Sequence, residues 1–474
     1  MKDSHAPRTG VLECEKGSAS FYVDDFSFCI MNNIMQKVTN RFNETYNNIA
    51  NSHFTLRKQG NFLTGVTNEG SAIAIYAKNC LDNFSVPKCT FRTSTYVIQD
   101  SVCAENFGYC FDAIELRGGI LSSLFSDRLI DISYSNNNYI IKNDTYELTE
   151  KSLLGNRSVT IKIGWFTCEH SQSRKFEIST NNPYFRIEFD TPINLDDALL
   201  HIEKARELMS FLSFRDNVEF GNITLQRKHH SDNSGIPQCT YYSTDATVFI
   251  NYGFEPTQKE SHHCICIDEI GDPVFKLFSM FYDTADYNPI THLDFIPKSD
   301  KESGSLAPID IREIATFLEC EEMRVIEIRD NKSKKLYDET QRLSNLLKKI
   351  KQVIQQDEVE NGTLPDSIHG QLTKRFQDSS LPSKSRDTLL FESYQAITMG
   401  VTRYSSYQKI INSSDVKKFR DYRNKETHGD YNLLDLDIVI TAFHLIATVY
   451  CSILHRAGVN DQTLKNICDK SFIL

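Results

Sequence analysis

The sequence has no GxxxxGK[ST] loop, no GxGxxG, no HExxH and no GxSxG. Such motifs cradle phosphates, hold zinc or present a nucleophilic serine. Without them, ATP, NAD, zinc-protease and serine-hydrolase chemistry have no sequence support. Cysteine is present at 13 positions but in no framework. Cys14, Cys29, Cys320, Cys451 and Cys468 stand alone, Cys80/Cys89 and Cys103/Cys110 form loose pairs, and no CxxC occurs. Free thiols in a reducing cytoplasm are the simple expectation. The opening MKDSHAPRTG carries no apolar run, so no secretory signal is expected. On that reading the Asn-x-Ser/Thr sites at Asn43, Asn143, Asn156, Asn222 and Asn361 are chance matches.

Positive charge is also short. Lys and Arg number 52 against 63 Asp and Glu, a net charge of −11. That argues against a protein that coats nucleic acid nonspecifically. The deficit is uneven: residues 301–474 hold 25 basic and 25 acidic side chains, leaving 27 against 38 in 1–300. The C-terminal third is the better candidate for contact with RNA. Long apolar runs are nearly absent. IVITAFHLIATVYCSIL, 438–454, is slightly short of a membrane span, holds His444 and follows Asp435 and Asp437. It reads as the central buried helix of a helical domain, and no membrane contact is expected. Tryptophan occurs once, Trp165, within IKIGWFTCEH, as a core residue or pocket wall.

What is present is ordinary globular material, 40% hydrophobic and 24% charged over 474 residues, enough for two or three domains. The fold class expected is multidomain α+β. Residues 1–295 form a β-rich region with one inserted helix, 296–307 (IPKSDKESGSLA) a linker, and 308–474 an all-α bundle. The N-terminal strands are signalled by short alternating runs such as GSAIAIYAKN, SVTIKIGWFTCEH and KFEIST, in a sandwich or barrel. The inserted helix begins near INLDDALLHIEKARELMSFLSF, where Asn194 or Asp196 can cap it and Leu195, Leu199, Ile202, Ala205, Leu208, Met209 and Leu212 recur at helical spacing. Beyond the linker, IREIATFLECEEMRVIEIRD, KKLYDETQRLSNLLKKIKQVIQQ, TLLFESYQAITMG, SSDVKKFRDYRNKETHG, LLDLDIVITAFHLIATVYCSIL and VNDQTLKNICDK fit an antiparallel bundle of five to seven helices.

FRDYRNKETHGDYN, 419–432, concentrates the chemistry. Ser414 or Asp415 is a suitable N-cap and Gly429 a plausible stop, so Arg423 to His428 occupy the last turn and exit of a helix. Residues five apart lie roughly 140° apart on an ideal helix. Arg423 and His428 therefore share a face only if the helix unwinds near Gly429, whereas Asn424 and His428 already face alike. An imidazole that titrates near neutral pH can serve as acid or base in attack of a ribose 2′-OH on the adjacent phosphate. A guanidinium can bind the charged phosphorane through two N–H donors, and an asparagine can fix the imidazole tautomer. Lys417, Lys418, Arg420 and Lys425 add charge for phosphate contacts. An arginine and a histidine at this spacing are also common at ordinary helix ends, where the dipole favours cations.

RNKETH resembles the RNxxxH form of the RxxxxH motif of HEPN domains. The order of a β-rich N-terminal region followed by a helical C-terminal bundle is similar to the ApeA group of anti-phage HEPN proteins. ECEEMRVIEIRD resembles the early bundle helix of that group, and INLDDALLHIEKARELMSFLSF the helix within its N-terminal region. The resemblance implies a metal-independent endoribonuclease, often acting on tRNA, that arrests an infected cell by abortive infection. It implies no cofactor and no metal. It also implies an N-terminal region that senses an unknown phage-derived trigger, and a homodimer whose two HEPN faces form one cleft. By position, Arg423 would bind the scissile phosphate, His428 act as acid/base and Asn424 orient the pair. Glu322 on the opening helix would give polar support or be merely a solvated or capping glutamate. The alternative is a non-catalytic HEPN-like dimerisation module serving as scaffold or antitoxin-like partner. A weaker third reading is a β-rich ligand- or glycan-binding protein with a helical oligomerisation tail.

Three further segments are expected to be structural. HHCIC, 262–266, reads as an alternating strand with Cys264 and Cys266 on one face, since zinc ligands usually come as separated pairs. RKHH, 227–230, reads as a basic loop end, and RGG, 117–119, as a turn.

Overall fold

A computed structural model describes residues 7–13, 18–32, 54–55, 58–77, 83–84, 88–100, 108–125, 131–135, 138–142, 145–172, 175–230, 240–253, 264–284, 288–299, 306–329, 346, 349–350, 352–360, 362, 365, 368, 413–427 and 434–471. The chain is α+β in two compact units. One comprises Met1–Tyr282 with Pro297–Lys301, the other Asp283–Ile296 with Glu302–Leu474.

The first unit carries the strands β1 (Arg8–Glu13), β2 (Ser18–Asp24), β3 (Ser27–Asn32), β4 (Phe54–Thr55), β5 (Lys58–Gln59), β6 (Phe62–Thr67), β7 (Ala72–Tyr76), β8 (Asn83–Phe84) and β9 (Lys88–Arg92). They continue as β10 (Thr95–Gln99), β11 (Cys110–Arg117), β12 (Asp131–Ser135), β13 (Asn138–Lys142), β14 (Thr145–Leu154), β15 (Arg157–Gln172), β16 (Lys175–Asn194), β17 (Asn222–His230) and β18 (Thr240–Ile250). Fourteen of them join one antiparallel sheet in the order β14, β15, β16, β11, β17, β18, β10, β7, β6, β1, β2, β3, β9, with β5 on β6. The sheet is large and antiparallel, and its far end curls, since Phe28 of β3 lies 6.1 Å from Tyr96 of β10, five places along that order. The pairs β12–β13 and β4–β8 stand apart.

Registry explains how one sheet serves two cores. Leu116, Phe185 and Ile163 stand side by side across β11, β16 and β15, as do Ile114, Ile187 and Ile161. All six are buried. The opposite face of the same strands carries Glu115, Arg186 and Lys162 in line. There Arg186 bridges Glu115 at 3.1 Å and Glu188 at 2.9 Å. Following that polar face across Thr224, Thr247, Ile98 and Ile73 leads into the second core. This core holds Leu12, Phe21, Phe28, Leu63, Ile73, Ile75 and Tyr96. The first-core face stays buried as well, with Val97 of β10 and Ala74 of β7 both 0% exposed, so from β10 onward both faces are covered, which a period-two pattern cannot show.

Helix α1 (Leu195–Ser213) covers the first core. Asn194 caps it, its side chain accepting from the Asp197 N–H at 2.9 Å, and Asp196 and Asp197 lie in the first turn where the dipole favours carboxylates. Of the two cap candidates, Asn194 is thus the one used. Two short helices follow, α2 (Ile267–Ile270) and α3 (Pro273–Met280). Phe278 of α3 meets Phe185 edge-on at 5.1 Å. Trp165 is buried in this core. Gly118 and Gly119 turn the chain with φ of 62° and 60°, as RGG requires.

Two expectations change. RKHH is no loop end: Arg227–His230 complete β17. A register shift between Leu225 and Gln226 passes the pairing from Ala246 to Thr244, so Asp245 is the bulged residue. The bulge sends its carboxylate to Arg227 Nε at 2.7 Å and Ser243 Oγ at 2.7 Å, with both Arg227 and Asp245 buried. HHCIC yields no strand over its described part. Residues 264–266 are an irregular lead-in to α2, in which the Ile265 N–H donates to the Leu212 carbonyl at 2.7 Å and Cys264 and Cys266 are both buried. His262 and His263 lie outside the described residues.

The second unit contains α4 (Pro308–Arg329), α5 (Ser413–Thr427), α6 (Leu436–Ala457) and α7 (Asp461–Ser471). The other expected bundle helices fall wholly or partly outside the described residues. Phe295, Phe317 and Tyr450 form a continuous aromatic contact, with centroids 5.0 and 6.1 Å apart. Helix α6 is long and apolar enough to cross a membrane, yet most of its apolar length is buried within the protein. It is the core helix of this unit, capped by the Asp435 side chain.

Candidate functional site

Helix α5 is mostly polar, so packing rather than hydrophobic content fixes it. Its apolar residues Val416, Phe419 and Tyr422 recur every three positions and all are buried. They face α4 and α6, which pack on α5 and on each other. The helix starts at Ser413, so Ser414 and Asp415, expected as caps, lie in its first turn, where the Asp415 carboxylate suits the dipole.

Arg423 follows Phe419 by four residues and Val416 by seven, placing it within roughly 40° of both on the packed side. Its Nη1 donates to Glu319 Oε1 of α4 at 3.2 Å, with the two side chains 14% and 33% exposed. A guanidinium so placed is oriented and partly desolvated, yet one edge of the pair reaches solvent. Asn424 is half-buried beside it. His428 lies outside the described residues, so its distance from Arg423 is not part of this geometry.

The flanking cations divide. Lys417 and Lys425 are exposed. Lys418 is bound to Asp437 of α6 at 3.0 Å, which raises its pKa through that hydrogen bond and the carboxylate charge. Arg420 donates to its neighbour Asp421 at 2.7 Å. Lys417, Lys418 and Lys425 lie roughly 120° or more around the axis from Arg423. The structure therefore brings Arg423 to Glu319 and places these three lysines on another side of the helix.

No family model, no curated protein and no solved structure matches this chain. The site is accordingly read from its own chemistry.

The acidic support differs from the one expected. Glu322 lies in α4, but its side chain is outside the described residues. Of its neighbours, Glu319 takes Arg423 and Glu321 is engaged elsewhere. Glu321 is fully buried and takes Arg456 Nε at 2.9 Å, Arg456 Nη2 at 2.6 Å and Ser452 Oγ at 2.6 Å. The signal for Glu321 was in the sequence, since Ile311, Ile314, Leu318 and Glu321 form one helical stripe. A carboxylate on a buried stripe requires a cation opposite it.

Cys320, between these glutamates, has its thiol pKa raised by burial and by Glu319. That is the opposite of an activated nucleophile. His444 in α6 is buried, which lowers its pKa. Among the described residues no group of three His, Cys, Asp or Glu side chains is placed to hold a metal ion. Chemically, the described site offers one oriented guanidinium for a phosphate or carboxylate, with a carboxylate competing for it.

Proposed function

We propose that this chain is a metal-independent endoribonuclease of the HEPN type, acting in the cytoplasm on tRNA or another cellular RNA. In this reading it serves anti-phage defence by abortive infection, and the β-rich unit senses the trigger. The observation that carries the reading is Arg423. It sits four residues before the end of a lysine-rich helix, oriented by Glu319, five residues before His428 in RNKETH.

In the proposed reaction, the 2′ oxygen attacks the adjacent phosphorus and the bond to the 5′ oxygen breaks. Arg423 holds the non-bridging oxygens as charge builds on them. His428 moves a proton at the 2′ or the 5′ oxygen, and Asn424 orients the pair. The products are a 2′,3′-cyclic phosphate and a 5′-hydroxyl end. A second copy of the helical unit would complete the acid/base set across a two-fold axis. All three flanking lysines are exposed, but Lys418 is engaged by Asp437, so Lys417 and Lys425 are the better placed for backbone contacts.

One observation favours a second reading, a non-catalytic HEPN-like dimerisation module. The guanidinium that would take the phosphate already has a carboxylate at 3.2 Å. Incubation of the purified protein with total RNA in EDTA separates the two. Cleavage leaving cyclic phosphate ends, lost in Arg423→Ala/His428→Ala, supports the nuclease. RNA left intact by a correctly folded dimer supports the module. Cleavage that needs Mg²⁺, or that survives the double substitution, overturns the assigned site.

A further inference from the structure

A cleft of about 590 Å³ opens in the first unit between α1 and the strand ends of β7, β10 and β18. That volume lies within the range of roughly 300–1,000 Å³ typical of small-ligand sites. One wall is a single stripe of α1: Asp196, Leu199, Leu200, Glu203 and Arg206. These residues are three or four apart, so they face one way, and they span about 15 Å along the helix. The opposite wall is Tyr76, Ser94, Thr95, Ile250, Asn251 and Tyr252.

Both ends of the stripe are acidic and held in place. At one end Asp196 accepts from Asn61 Nδ2 at 2.9 Å and from the Asn61 N–H at 3.3 Å. At the other, Arg206 donates to Asp216 Oδ1 at 3.0 Å and to Glu203 Oε1 at 3.0 Å, with its guanidinium carbon 5.8 Å from the Tyr252 ring centroid. The side chains of Glu203 and Asp216 remain 50% and 51% exposed, so their carboxylates stand at the rim. The lining thus has three carboxylates and one guanidinium, which repels phosphates and acidic ligands. Between the ends α1 contributes Leu199 and Leu200, the latter 50% exposed, and the opposite wall sets Tyr76, Ile250 and Tyr252 among Ser94, Thr95 and Asn251.

We propose that this cleft binds a ligand bearing a cationic nitrogen on an apolar chain. The source is a lysine or arginine side chain of a peptide, or a free alkylamine. The cation lies against Glu203 and Asp216, with the Tyr252 ring available for cation–π contact. The apolar chain covers Leu199 and Leu200. Arg206 is neutralised by its two carboxylates and sets their spacing. This site is distinct from the α5 site and stands whether or not the chain cleaves RNA.

The test is calorimetric titration of the full chain, at low salt, with three probes: Ac-Arg-Leu-Leu-Arg-NH2, spermidine and Ac-Glu-Leu-Leu-Glu-NH2. At least one basic probe is expected to bind and the acidic peptide not to. Tighter binding of the peptide assigns a peptide source, and tighter binding of spermidine a free amine. Glu203→Gln/Asp216→Asn is expected to weaken binding roughly tenfold, at the upper end for two half-exposed ion pairs. That pair also supports Arg206, so Leu200→Lys is the second variant. It adds like charge at a half-exposed position and is expected to weaken binding with an unchanged unfolding transition. No binding of either basic probe at millimolar concentration overturns the proposal. So does equal binding of the acidic peptide, or full affinity in Leu200→Lys.

Discussion

Glu321 and Arg456 form a two-pronged ion pair, at 2.9 and 2.6 Å, with the glutamate side chain 0% exposed and the arginine 18%. It joins α4 to α6. A carboxylate with no access to water depends on that guanidinium and on Ser452 for all its solvation. Arg456→Met removes the guanidinium and leaves the charge buried, an expected loss of about 3 kcal/mol in denaturant unfolding of the full chain. Glu321→Gln keeps hydrogen-bonding capacity without the charge and is expected to lose less. Equal stability of parent and Arg456→Met would mean the pair is not formed in solution.

The pair between Glu319 and Arg423 should behave differently, because Glu319 is 33% exposed. Glu319→Gln is expected to change stability by under about 1 kcal/mol. On the nuclease reading it frees Arg423 for phosphate, and RNA affinity measured by filter binding rises by up to about fivefold. An affinity that falls instead would make Glu319 a support for RNA contact rather than a competitor.

His201 of α1 is buried against Phe189, with Nδ1 2.7 Å from the Tyr282 hydroxyl. Burial, with Arg157 adding to it, pushes its pKa down from 6.5 to about 4. The unfolded chain therefore binds the proton more readily than the folded one. Stability from the neutral ring is full above pH 6.5 and falls as pH drops towards 4. The loss over that window is roughly 3 kcal/mol. His201→Phe should flatten this part of the stability–pH curve. A parent and variant with parallel curves would remove His201 as the cause.

Gly60 turns the chain between β5 and β6 with φ of +59°, and a Cβ there would stand 2.0 Å from Asp196 Oδ2. Gly60→Ala combines left-handed strain with a clash against the carboxylate that binds Asn61. It is expected to cost about 2 kcal/mol and lower the thermal midpoint. Gly70, with φ of +88° and open space around it, carries only the strain. Gly70→Ala should therefore cost less.

Several elements were legible because their causes are local. Asn194, two aspartates and a 3.6-period stripe specify α1 with its cap. Alternating Val159, Ile161, Ile163 and Trp165 specify β15, and the apolar run after Asp435 specifies a buried α6. The helix holding Arg423 was legible for the same reason. The outcomes that differed were non-local. RKHH looks like a loop end until Asp245, brought by a bulge on the neighbouring strand, neutralises Arg227. Glu319, Glu321 and Glu322 lie within four positions, yet successive side chains point about 100° apart, so only the placement of α5 and α6 decides which one meets Arg423 or Arg456.

The sequence by itself determined the division into β-rich and helical parts, the two well-capped helices and the presence of arginine, asparagine and histidine at 423, 424 and 428. Propensity, capping and periodicity act over a few residues and are written along the chain. The tertiary structure alone decided the strand order, where the sheet becomes buried on both faces, the acidic partner of Arg423 and the acidic lining of the cleft beside α1. Those depend on residues tens to more than a hundred positions apart, whose meeting is set by the packing of whole elements.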